Sequence, residues 1–295
     1  MNDPAAHPSR HGIELLPLTG AIGSEVRGVD LSRPLADDTL AQIREALLER
    51  LVLVFREQRL TEAQHIAFSR CFGEIHYPPV PTRHGGPPEI NVLDQVHPKG
   101  DGADLWHNDN TYLAEPPMGS VLKAVRIPGS GGDTCFASMY SAYEALSAPL
   151  QELLDSLSAV HDITRQLVKA VSRGNSDLDV EATRARFPPV RHPVVRAHPL
   201  TRRRALFVNS NATVRIEGLP ERESEMLLAL LFDHVNTPDF QCRVRWDEGS
   251  LVLFDNRCVQ HYAVPDYALR RIMHRVTIRG DRPLGSARPV PDLTA

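Results

Sequence analysis

Arg271-Ile272-Met273-His274-Arg275-Val276-Thr277-Ile278-Arg279 alternates with period two. The alternation puts Ile272, His274, Val276 and Ile278 on one face and Arg271, Met273, Arg275, Thr277 and Arg279 on the other, which predicts a strand. Working back from it, Leu251 to Phe254 and Arg243 to Trp246 are further β-rich runs, separated by Asp, Gly, Asn and Pro turns. Gly129 to Asp133 reads as a turn leading into another strand, Thr134-Cys135-Phe136-Ala137-Ser138. Helical stretches interrupt only near 140–158 and 221–236. Many short strands with few helices fit a mixed α+β chain built on a double-sheet jelly roll.

The N-terminal third mixes both periods. Leu40, Ile43, Leu47 and Leu51 recur at helical spacing, and Leu51 to Phe55 continues as a short apolar strand. Thr61 and Gln64 form a capping-box signal for a helix that would bury Ile66, Phe68 and Phe72 and stop at Gly73. Between 160 and 220 the Arg/Ser/Asn/Asp content, densest at 164–191, predicts a long excursion of the kind that covers active sites. No repeat or linker divides the chain, so 13–282 is expected to be a single catalytic domain, with tails at 1–12 and 283–295.

Composition narrows the function. A net charge of −4 over 295 residues gives no reason to expect nucleic acid or an acidic membrane as partner. No run approaches the roughly 18 apolar residues of a membrane span, and Met1 to Gly12 lacks the apolar core of a signal peptide. Cys71, Cys135, Cys242 and Cys258 are scattered, which suggests neither a zinc cluster nor a disulfide framework. The expected location is the cytoplasm.

Three residues can hold a metal: His107 and Asp109 in Trp106-His107-Asn108-Asp109, and the distant His261 in Gln260-His261-Tyr262. In a strand, positions i and i+2 share a face, so His107 and Asp109 could grip one ion from the same side. Two imidazoles and one carboxylate leave coordination positions open, which suits Fe(II) oxygenases better than closed structural zinc. In a chain with 13 histidines, about one or two His-x-Asp/Glu triplets arise by chance. A surface histidine bonded to a nearby carboxylate therefore remains an alternative on the triplet alone. The arginine face is similarly double-valued. Arg271 and Arg275, about 13 Å apart at ~3.3 Å per residue, could hold two different anions in one cavity, or could be solvated on an edge strand. If they point inward they need anionic partners, because burying an unpaired charge costs several kcal/mol.

Taken with their neighbours these motifs are similar to a known family. His65-Ile66-Ala67-Phe68-Ser69, Cys71-Phe72-Gly73, Trp106 to Tyr112, Gly131-Gly132-Asp133-Thr134, Ala142 to Ser147, His192-Pro193-Val194-Val195, Asp255-Asn256-Arg257 with His261, and Arg270 to Arg275 stand in that family's order. From about Leu16 to about Pro283 the chain resembles the taurine dioxygenase family of Fe(II)/2-oxoglutarate-dependent oxygenases, which includes alkylsulfatases and phenoxyalkanoate-herbicide dioxygenases.

The resemblance implies a double-stranded β-helix (jelly roll) core flanked by helices, usually as a homo-oligomer, with O2 and 2-oxoglutarate as co-substrates. It implies Fe(II) ligation by His107, Asp109 and His261, and 2-oxoglutarate binding by Thr134 and Arg271. Arg275 matches the position that holds a small anionic organic substrate, with Asn110 beside it. Two other readings are a cupin-like metal enzyme that does not use 2-oxoglutarate and a non-catalytic relic. The pocket departs from taurine dioxygenase, with Pro78 and Pro81 in place of a histidine and a tyrosine, Ala103 for an asparagine, and Asn211 or Ala212 for a phenylalanine. Phe136 to Tyr140 and Cys242 to Trp246 lean toward the phenoxypropionate-herbicide branch. Phe254 is expected as an aromatic wall near the co-substrate, and His76, His161 and His274 as packed or hydrogen-bonded rather than catalytic.

Overall fold

The computed structural model of the chain describes residues 12–77, 86–96, 103–174 and 176–285. β1 (Glu14–Pro17) and β2 (Ser24–Arg27) pair antiparallel, and α1 (Asp37–Arg50) and β3 (Val52–Phe55) follow. α1 buries Ile43, Ala46 and Leu47 and ends where Leu51 turns left-handed, so the apolar run passes directly into β3. α2 (Glu62–Arg70) opens on the expected capping box: the Gln64 N–H donates to the Thr61 hydroxyl, and the Thr61 N–H donates to the Gln64 side chain. The helix stops at Arg70, three residues before Gly73.

β4 (Ile90–Gln95), β5 (Gly119–Arg126) and β6 (Thr134–Ser138) come next. The helical stretch after β6 is broken into α3 (Met139–Glu144) and α4 (Ala148–Asp155), with Ser147 as the cap and a proline in the first turn of the second helix. Residues 160–220 are not a loop excursion. They hold the end of β7 (Ser158–His161), then α5 (Thr164–Ser172), α6 (Val180–Arg186), β8 (Val190–Pro193), β9 (Val195–Ala197), β10 (Arg204–Leu206) and β11 (Thr213–Ile216). Strands of three or four residues are too short for alternation to register, and several of their buried positions are polar, among them His161, His192 and Thr213. α7 (Glu221–His234), β12 (Gln241–Val244), β13 (Leu251–Asp255), β14 (Val259–Ala263), β15 (Arg271–Ile278) and β16 (Leu284–Gly285) complete the described chain. β16 pairs with β9, so the C-terminal segment is still engaged at 285, beyond the expected end of the domain.

One large sheet has the order β1-β2-β3-β13-β5-β15-β4, and a smaller one runs β12-β6-β14. Their facing sides share a core of Val52, Val54, Leu122, Phe136, Val244, Val252, Phe254, Val259 and Met273. The opposite face of the large sheet is covered by α1 and α2, through Ile43, Leu47, Phe68, Leu53, Phe55, Leu253 and Ile278. β15 lies between β5 and β4, so the edge-strand alternative for the arginine segment does not hold. Val276 packs with Ile66 of α2, which leaves Arg271, Met273 and Arg275 facing the space between the two sheets. Two further sheets, β11-β7-β8 and β10-β9-β16, are built largely from the 158–216 region.

Candidate active site

His261 sits in β14 opposite Phe136 of β6, and Ala263 two residues on sits opposite Thr134, so all four share the inner face of the small sheet. His107 reaches His261 differently from the expected strand. Its segment makes only an isolated bridge: the His107 N–H donates to the His261 carbonyl (3.1 Å) and the His261 N–H donates back (2.9 Å). Asp109 belongs to the turn that follows, and the Asn256 side chain fixes that turn. The Asn256 amide oxygen accepts the Asp109 N–H (2.7 Å), and its amide nitrogen donates to the carbonyls of Asp109 and Pro117. Asn108 donates to the Asn256 and Val259 carbonyls. Through these side-chain ties the donor atoms of His107, Asp109 and His261 come within 4.8 Å of one another.

Their donor atoms suit a metal. The His107 Nδ1–H donates to the Leu105 carbonyl (2.7 Å), which leaves the Nε2 lone pair toward Asp109 Oδ1, 3.9 Å away. Burial, then the His107 charge, pushes the His261 pKa down to about 3, so this ring is neutral and its lone pair available. Burial alone would raise the Asp109 carboxyl, but Arg275, the two histidines and the Ser120 hydroxyl bring it down to about 2. Two imidazoles and one ionised carboxylate are a donor set that a divalent ion such as Fe(II) fits.

Both arginines enter the same cavity, of about 230 Å³. Arg271 is 5% exposed, its Nε–H donates to the Gly132 carbonyl (3.0 Å), and burial lowers its pKa from the usual arginine value. No carboxylate forms an ion pair with it among the described residues. Thr134 lies within reach of its Nη2 (3.4 Å) and also accepts from the Trp246 indole N–H (2.9 Å). With both lone pairs engaged, the Thr134 O–H is left to donate. Gly132 makes this approach possible, because at φ +73° a Cβ would sit 3.1 Å from Arg271 Cδ. Arg275 donates to Asp109 Oδ1 at 2.8 Å, and its own Nε is buried with no hydrogen-bond partner among the described residues.

Asn110 lines the cavity in a left-handed conformation (φ 51°), and Ala103, Asn211 and Ala212 line it as expected of pocket positions. Pro78 and Pro81 lie outside the described residues. Phe254 is not a cavity wall. It is fully buried behind His261, with ring centroids 4.7 Å apart, and fixes that imidazole rather than a ligand. Sequence reading missed Tyr112, Leu122 and Met273, which add aromatic and apolar wall, and Gln166 of α5. It also missed the roles of Asn256 and Trp246; the only signal was that both stand in recognised blocks. His161 is buried and bonded to the Thr111 hydroxyl, and His274 faces Glu62 at 3.8 Å. His76 is not among the cavity residues.

His198, Asp255 and Cys258 form a second cluster of metal-capable groups, also within 4.8 Å. Here every strong donor is spent. Arg257 grips both Asp255 oxygens, His198 Nε2 donates to the same carboxylate (3.1 Å), and His198 Nδ1 accepts the Leu200 and Thr201 N–H groups. This is a buried lock behind the site.

The family model described as taurine catabolism dioxygenase TauD, TfdA family matches residues 14–277. A relative named alpha-ketoglutarate-dependent sulfate ester dioxygenase, from Pseudomonas putida, is 36% identical over 97% of this chain and 96% of its own length. An alpha-ketoglutarate-dependent 2,4-dichlorophenoxyacetate dioxygenase from Cupriavidus pinatubonensis is 36% identical over 90% of this chain and 97% of its own. The crystal structure of AAD-2 in complex with Mn(II) and N-oxalylglycine superimposes with a TM-score of 0.79 at 29% identity, covering 92% of this chain and 99% of that one. With its motifs in family order and its histidines, aspartate and arginines gathered in one cavity, this chain belongs to the TauD/TfdA dioxygenase family.

Proposed function

We propose that this protein is an Fe(II)- and 2-oxoglutarate-dependent dioxygenase that hydroxylates a small organic anion, a sulfonate, sulfate ester or aryloxyalkanoate, with release of succinate and CO2. One observation carries the reading: a cavity joins a two-imidazole, one-carboxylate cluster to a buried arginine, Arg271, that no carboxylate neutralises among the described residues. The names of the relatives, a sulfate ester and a dichlorophenoxyacetate dioxygenase, support the substrate range.

In this reading His107, Asp109 and His261 hold Fe(II), and bound there the metal supplies O2 activation driven by oxidative decarboxylation of 2-oxoglutarate. Arg271 and the Thr134 hydroxyl take the far carboxylate of 2-oxoglutarate, with Gly132 and Trp246 holding both in place. Arg275 takes the anionic head of the substrate, and Asn110 contacts its body. Leu122 and Met273 provide dry wall between the two anion positions. No proton-transfer residue is needed to remove hydrogen from carbon. We read 13–285 as one domain with a double-stranded β-helix formed by the two facing sheets, on the strength of the core they share, the pairing of β16 with β9 and the TauD-like structural relatives. Four unpaired cysteines favour a reducing compartment, the cytoplasm, and the family resemblance favours a homo-oligomer. Among the described residues no helix is long and apolar enough to cross a membrane.

A cupin-like enzyme without 2-oxoglutarate leaves the Arg271 charge unexplained, and a relic would have no reason to keep the whole donor set. The test is anaerobic absorption spectroscopy with Fe(II) and 2-oxoglutarate. A weak visible charge-transfer band is expected in the native protein and none in His107→Ala. A succinate-release screen over alkylsulfonates, alkyl sulfates and aryloxyalkanoates then identifies the substrate. Arg275→Ala is expected to keep the band and lose substrate-stimulated turnover; turnover that survives would remove Arg275 from the substrate site.

A further inference from the structure

Asp109 has little freedom in what it offers. Asn256 holds its backbone, and the Ser120 hydroxyl donates to Oδ2 at 3.2 Å. Oδ1, the oxygen nearest His107 Nε2, is the one Arg275 Nη1 takes at 2.8 Å. A cation held by the His107, Asp109 and His261 donor atoms therefore shares one carboxylate oxygen with a guanidinium. Among the described residues the charged lining of the cavity is two arginines against one aspartate, a cationic balance before any metal arrives.

We propose that Arg275 links metal to substrate: its unpaired charge beside Asp109 weakens metal binding, and a monoanion that pairs with it strengthens metal binding. The link rests on the metal-site reading given above. Two features of Arg275 make the transfer feasible. Its Nε–H is buried without an acceptor among the described residues, and its side chain is 19% exposed at the cavity. A sulfonate or carboxylate head can accept from Nε and Nη2 together, an arrangement that satisfies the idle donor and offsets the guanidinium charge that Nη1 turns on Oδ1. Neutralising the arginine also removes a positive charge from beside the metal. Linkage is reciprocal, so the metal raises anion affinity by the same factor. The enzyme thus holds its metal most firmly when a substrate anion is in place.

Calorimetric titration with Mn(II), without 2-oxoglutarate, tests this on the full chain. Methanesulfonate serves as the monoanion, against chloride at equal ionic strength. The native protein is expected to bind Mn(II) about ten-fold more tightly with methanesulfonate, in the usual range for coupled sites. Arg275→Gln is expected to bind about as tightly without the anion and to show no methanesulfonate effect, whereas Arg275→Lys, which keeps the charge, stays near the native value. Unchanged or weaker Mn(II) binding by folded Arg275→Gln overturns the link, as does the lack of any methanesulfonate effect on the native protein, which requires no variant. His107→Ala separates the two failures: if it binds Mn(II) like the native protein, the metal site itself is misassigned and the link falls with it.

Discussion

Asn256 shows how a residue outside the metal set governs it. Asp109 follows an isolated bridge rather than a strand, and no ladder of backbone bonds holds it in register. One amide side chain does so instead, with its three hydrogen bonds to Asp109 and Pro117. Removing it frees the turn that aims Oδ1 and leaves buried backbone groups unpaired. Asn256→Ala is therefore expected to weaken Mn(II) binding about 10- to 100-fold, the usual cost of losing a partner that orients a ligand. The measurement is the same titration, with circular dichroism as the check on folding. Native-like affinity in the folded variant would mean that Ser120 and Arg275 suffice to position the carboxylate.

The Gly131-Gly132 turn between β5 and β6 is the element on which the Arg271 end of the cavity depends. At Gly131 a Cβ would meet the Asp266 carbonyl oxygen at 2.4 Å, and at Gly132 it would press on the Arg271 side chain. Both glycines have positive φ, which L side chains seldom adopt. Gly132→Ala is expected to cost about 1–3 kcal/mol of stability from backbone strain. Because its methyl displaces Arg271, the KM for 2-oxoglutarate should rise several-fold more than the KM for substrate. Steady-state kinetics varying each in turn will read this split, and equal effects on both would argue against Arg271 as the 2-oxoglutarate residue.

At the scale of the whole molecule, buried neutral histidines set the response to acid. His65, on the buried face of α2, donates from Nε2 to the Val121 carbonyl, and His192 donates to the carbonyls of Thr111 and Leu113. Burial pushes both pKa values down from 6.5 to about 4. As pH falls below 6.5 the unfolded chain takes up these protons before the folded one. Their contribution is thus full above pH 6.5 and is lost as pH falls toward 4, on the order of 3 kcal/mol for each. Asp109, already depressed to about 2, loses its contribution only below the ordinary carboxylate range. Thermal melts in EDTA should show Tm falling from pH 6.5 to 4.5. His65→Gln, which keeps a donor for Val121, should flatten the fall; parallel curves would remove His65 as a cause.

Much of this protein was written locally. The α1–β3 passage, the capping box of α2, the turn before β6 and the two faces of β15 are short-range patterns, set by side-chain period and by groups three or four residues apart. The grouping of His107, Asp109, His261, Thr134, Arg271 and Arg275 came from the resemblance of their surrounding motifs to a known family, and all six line one cavity. Three things required the folded chain. The strands between 158 and 216 are too short to show a period, and they exist because neighbouring strands complete their hydrogen bonds. The inward aim of the arginines was open until β15 lay between β5 and β4. The hold of Arg275 on Asp109 joins positions 166 residues apart. Local pattern fixes which face a side chain occupies, whereas only packing decides what that face meets.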